Sequence, residues 1–149
     1  MEQEIIDGIY HLFRSRMVIT ILTLIVVIVL ALVITGTVKW KLTKHPVLLV
    51  ILVVICSIGL LTAQFTRIIP IHKDYVEQSY VVLYNVKLRL TTKPTDHFAY
   101  DPTVAVTDSS GTQYEFKIEN DLFLELGVDY TGTIAYVPHS NYVVWYCFD

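Results

Sequence analysis

Two runs of this chain contain no charged side chain: residues 17–38 and residues 46–66. A helix needs roughly 20 mostly apolar residues to cross the hydrocarbon core of a bilayer, and each run meets that length. Both runs are apolar on every helical face, so as soluble helices they would need a thick protein shell around them. The rest of a 149-residue chain cannot supply one. Composition agrees, with 54% hydrophobic and only 17% charged residues, against about 25% charged in ordinary soluble domains. A cleaved signal peptide fits the first run poorly, because its apolar stretch exceeds the roughly 7–15 residues of an h-region and no Ala-x-Ala site follows.

The expected organisation is a membrane-spanning α-helical hairpin followed by a small all-β domain. Residues 1–16 place Ile5, Ile6, Ile9, Leu12 and Phe13 at helical spacing, which predicts a short amphipathic helix on the membrane surface that runs into the first span. Residues 17–38 form the first span, 39–45 a short basic link, and 46–69 the second span. So short a link makes the spans antiparallel. Trp40, Lys39, Lys41 and Lys44 suit interfacial anchors at one face, and Arg14, Arg16 and Arg67 at the other. Ser57, Gly59 and Ala63 are candidate helix-packing positions, since small side chains let helices approach closely.

Residues 70–79 read as a linker and 80–149 as a water-exposed β domain. Alternation over residues 80–90 puts Tyr80, Val82, Tyr84, Val86, Leu88 and Leu90 on one strand face, with Asn85, Lys87 and Arg89 opposite. Strands at about 103–107 and 112–118 flank the turn Asp108-Ser109-Ser110-Gly111. A short helix is expected over 119–126, then strands at about 129–137 and 141–148, the last with Tyr142, Val144, Tyr146 and Phe148 on one face. Five strands with a short helix between the third and fourth predict an OB-like barrel, with an SH3-like barrel or a five-stranded sandwich as the alternatives.

Charge divides along the chain. Residues 1–73 carry a net +4 and residues 74–149 a net −7. An acidic domain is repelled by nucleic acid, so no nucleic-acid partner is expected. The two cysteines, Cys56 in a span and Cys147 near the C-terminus, do not suggest a disulfide framework. Basic residues on either side of the first span nearly balance; they favour a cytoplasmic link and an extracytoplasmic β domain in a multi-pass cell-membrane protein.

Chemistry is sparse. Asp96, His97 and Asp101 form the one local cluster that a small membrane enzyme would use, but it lacks the paired ligand spacing of zinc sites. There is no nucleophile elbow and no glycine-rich phosphate loop, so no enzyme activity, metal or cofactor is expected. The order of two membrane helices and a small OB-type barrel resembles the layout of NfeD-type bacterial membrane proteins, which act as partners of other membrane proteins. That resemblance implies an accessory role and assigns no residue.

The expected function is therefore a non-enzymatic accessory or scaffold subunit. Its contacts would be the lipid bilayer and a membrane-protein partner or further copies of itself, with Asn85, Lys87, Arg89 and Trp145 as partner-surface candidates. A membrane-tethered sensor that binds a ligand and signals through the hairpin is the alternative.

Overall fold

The computed structural model describes residues 1–39, 46–91, 101–119 and 125–149. Among these lie α1 (Glu2–Lys39), α2 (Pro46–Glu77), β1 (Val81–Leu90), β2 (Thr103–Thr107), β3 (Gln113–Lys117), β4 (Asp129–Val137) and β5 (Tyr142–Phe148). The chain divides into two compact units. One comprises Met1–Phe13 with Pro70–Asp149, the other Arg14–Ile69.

The unit Arg14–Ile69 holds the apolar stretches of both helices, which are long and apolar enough to cross a membrane. Their large side chains are exposed, as at Leu32, Val47 and Leu48. Threonines that would otherwise present a bare hydroxyl donate to the carbonyl one turn back, Thr20 to Arg16, Thr23 to Ile19 and Thr62 to Ile58. Such bonds satisfy the hydroxyl inside its own helix. A cavity of about 530 Å³ lies between Val27, Ala31 and Ile34 of α1 and Val53, Ser57 and Leu61 of α2.

In the other unit the five strands form one mixed sheet in the order β1-β2-β3-β5-β4, and the circuit closes because β4 pairs with β1 as well as β5. All pairs are antiparallel except β3 with β5, which meet in parallel at the single position Lys117↔Tyr142. Apolar residues at alternating positions fill the interior: Val86, Leu88 and Leu90 of β1, Val104 and Val106 of β2, Phe116 of β3, Ile134 of β4 and Val143 of β5, with Ile118 just beyond β3. The β2–β3 turn forms as its residues dictate. The Asp108 carboxylate accepts from the Ser110 and Thr112 amides, both at 2.9 Å, and Gly111 takes φ +85°, a conformation that costs glycine little.

Four expectations are corrected. The segment 1–16 runs into the first span as one helix, continuous from Glu2. Its apolar stripe, however, is not spread on a membrane surface. Ile5, Ile9 and Leu12 are at most 2% exposed and pack with Ile71 of α2, Ala135 and Val137 of β4, and Tyr142 of β5. The supposed linker 70–79 is helical as far as Glu77, with Pro70 inside α2. Pro70 lacks the amide that would bond the Thr66 carbonyl, and it falls where one compact unit gives way to the other.

The remaining two corrections concern strand phase. Asn85 adopts φ +51° at a register shift between Leu83 and Val86. A bulge adds a residue and reverses the facing of what precedes it. Leu83 therefore packs on the interior cluster, Tyr80 and Val82 join the helix-side cluster, and Tyr84 is 60% exposed. A second shift, where Ala135 pairs Trp145 but Tyr136 pairs Val143, breaks the expected alternation of β5 at Val144. Tyr142 and Val144 face the helices while Val143 points inward. The helix expected over 119–126 falls mostly on residues 120–124, outside the described residues; Leu126 pairs in parallel with Leu90.

Candidate functional site

The outward face of β1 carries the clearest constellation. Lys87 and Arg89 are two residues apart on one strand, so both project from the sheet on the same side. The pairing places Thr107 of β2 beside Lys87 and Gln113 of β3 beside Thr107, with Thr131 of β4 on the other flank. Asp129 pairs with Arg89 in the next row, and its carboxylate oxygen lies 3.7 Å from Arg89 Nε. Gly127, at φ +79°, brings bare backbone beside the Arg89 guanidinium; a Cβ there would lie 3.8 Å from Nη2. Its amide donates to the Leu90 carbonyl. The result is a groove of about 580 Å³ between this face and the 126–129 segment.

A second set of polar groups fastens the end of α2 to the sheet. Asp74 is fully buried. Oδ1 accepts from the His139 amide at 3.0 Å, and Oδ2 from the Ser140 amide at 2.9 Å and the Ser140 hydroxyl at 2.5 Å. One turn on, Glu77 Oε2 lies 2.8 Å from His139 Nε2. These contacts organise the turn between β4 and β5, where Asn141 takes φ +58° and its amide donates to the Val137 carbonyl. On α1, a Cβ at Gly8 would lie 2.3 Å from the Val144 carbonyl oxygen, so only glycine lets the helix sit this close to β5. His11 Nδ1 lies 3.2 Å from Glu119, and the Phe13 ring stacks on Tyr75 at 4.4 Å.

The partner-surface candidates are thus divided. Lys87 and Arg89 share the groove, Asn85 occupies the bulge, and Trp145 packs against the cluster that holds the N-terminal helix. Asp101 accepts a hydrogen bond from the hydroxyl of buried Tyr142; Asp96 and His97 lie outside the described residues. Among the described residues no three His, Cys, Asp or Glu side chains gather as a metal site would require. Ser57 lines the cavity between the helices, whereas Gly59 and Ala63 are exposed, and a Cβ on Gly59 would meet nothing within 4 Å. Arg14, Arg16 and Arg67 belong to the unit of apolar helices. Trp40, Lys41 and Lys44 lie outside the described residues, as does the side chain of Lys39.

Two titrations are displaced in the β2–β3 turn. Hydrogen bonding from the Ser110 hydroxyl, reinforced by backbone amides, holds the Asp108 carboxyl below its usual range. Desolvation and the nearby Asp108 charge push the Tyr114 phenol up.

Sequence reasoning missed Gly8 and Asp74. Each left a trace, since an isolated glycine within a helical pattern is costly, and Asp74 interrupts the apolar stripe Ile68, Ile71, Tyr75. Comparison with protein-family models, curated proteins and solved structures returned no match.

Proposed function

We propose that this chain is a non-enzymatic accessory or scaffold subunit of a cell membrane, anchored by its helical hairpin, whose β domain binds a membrane-protein partner. The observation that carries this reading is the exposure of both apolar helices. Neither contributes a buried stretch of its most apolar residues, and Gly59 and Ala63 stand outward, where a further helix packs closely. A hairpin with this much unused helical surface suits insertion beside other membrane helices. The sheet order and its closure through β4 support an OB-type five-stranded barrel. The charge distribution favours an extracytoplasmic β domain.

The test is purification of the full-length protein from native membranes in mild detergent, followed by stoichiometry. A stoichiometric membrane-protein partner supports the reading. Recovery of the chain alone, as monomer or closed homo-oligomer, overturns it and favours the sensor.

A further inference from the structure

We infer that the groove on the outer face of β1 and β2 is a recognition site for an acidic, extended segment of a partner protein. The inference rests on the reading of the β domain as a partner-binding module and names the surface and the chemistry it takes. Residues 74–149 carry a net charge of −7 with only four cations, Lys87, Arg89, Lys93 and Lys117. Two of the four, Lys87 and Arg89, line this one groove.

Among the described residues Lys87 makes no ion pair, and Arg89 meets Asp129 only through Nε at 3.7 Å. That contact leaves the two terminal nitrogens, the pair that grips a carboxylate bidentately. Thr107 and Gln113 stand in the same cross-strand row as Lys87 and supply neutral donors. The groove volume of about 580 Å³ falls within the usual 300–1,000 Å³ of ligand clefts.

Charge complementarity selects the occupant. An acidic partner is repelled by most of the domain and attracted where Lys87 and Arg89 stand together, which fixes its orientation on approach. A planar anionic bilayer gains less, since it would bring its whole field against a domain of like sign. A concave groove also matches one chain segment better than a flat surface.

The experiment uses the full chain in nanodiscs of phosphatidylcholine alone, with a fluorescein-labelled hexaglutamate peptide followed by anisotropy at low salt. Saturable binding is expected, weakened about tenfold or more by Lys87→Glu with Arg89→Glu. Asp129→Asn should tighten it, and Lys73→Glu, on α2 outside the groove, should leave it unchanged. Should the double reversal disturb folding by circular dichroism, Lys87→Gln with Arg89→Gln reads the same loss. Absence of saturable binding, or equal loss in the Lys73 and groove variants, overturns the inference. So does release of the peptide when phosphatidylserine is added to the nanodiscs, which assigns the groove to lipid headgroups.

Co-purification from native membranes separates this inference from the reading beneath it. A partner recovered equally by the wild type and the double variant refutes the groove and leaves the accessory subunit standing. A wild type that recovers no partner removes the accessory reading, while the peptide titration still decides the groove.

Discussion

Replacing Asp74 by alanine tests whether one buried carboxylate fastens α2 to the sheet. The side chain is inaccessible to solvent and accepts three hydrogen bonds from His139 and Ser140. Alanine leaves two backbone amides and a hydroxyl without their acceptor. A hydrogen bond to a charged group contributes about 1.5–3 kcal/mol, and bonds sharing one carboxylate are not additive, so the expected loss is about 3–5 kcal/mol. Removing the buried charge recovers some desolvation energy, which places the result toward the lower end of that range.

Asparagine keeps the shape and one acceptor oxygen, but its amide nitrogen must face one of the donors. Its loss should be smaller, about 2–3 kcal/mol. The assay is thermal unfolding followed by Trp145 fluorescence in a Trp40→Phe background, since the chain has two tryptophans and Trp145 packs on the affected cluster. At about 4–8 °C per kcal/mol for a unit of this size, Asp74→Ala should lower Tm by at least about 12 °C. A drop under about 4 °C, or equal losses for alanine and asparagine, would refute the view that these hydrogen bonds hold the junction.

Gly8→Ala should destabilise the same unit by about 1–3 kcal/mol through overpacking against the Val144 carbonyl. Helix propensity alone predicts a gain of about 1 kcal/mol, so a raised Tm in the same assay would show that the close approach is absent. The depressed Asp108 carboxyl makes the β2–β3 turn acid-sensitive: its contribution is present above the unfolded pKa of about 3.9 and is lost as pH falls through the lower folded value. The amide shift of Gly111, followed by NMR, should titrate with a midpoint below 3.8, and a midpoint at or above that value counts against the Ser110 bond. Cys147 is exposed, so in a Cys56→Ala variant a membrane-impermeant maleimide should label intact cells. Labelling only after membranes are opened would place the β domain on the cytoplasmic side.

The apolar helices were legible because charge-free runs of that length have few other stable solutions. The β2–β3 hairpin was legible because Asp108 and Gly111 carry its turn within four residues. Strand phase failed where a bulge intervened. Alternation over residues 80–90 is unbroken in sequence, yet Asn85 inserts one residue into the ladder and sends Tyr84 to solvent. Val144 does the same to β5.

The stripe Ile5, Ile9, Leu12 announced an amphipathic helix but not its receptor. A membrane surface and the outside of β4 and β5 offer such a stripe the same apolar contact, and only tertiary structure chooses between them. At the candidate site, the alternation that put Lys87 and Arg89 on one face was readable. The nearby Asp129 and Gly127, some 40 residues on, became their neighbours only through the β1–β4 pairing.

The docking of Met1–Phe13 against β4 and β5 sets an order of events in biosynthesis. Ile5, Ile9 and Leu12 leave the ribosome well before Ala135, Val137 and Tyr142, the residues that bury them. Ile71 is made midway, but the β4 and β5 part of that receptor does not exist until synthesis has passed Tyr142, and contacts so distant in sequence form late. Until then the apolar stripe is available to chaperones, to the insertion machinery or to the bilayer surface. Completion of β5 thus draws the start of α1 into place, and a nascent chain stalled before β4 would leave that stripe without its β-sheet cover.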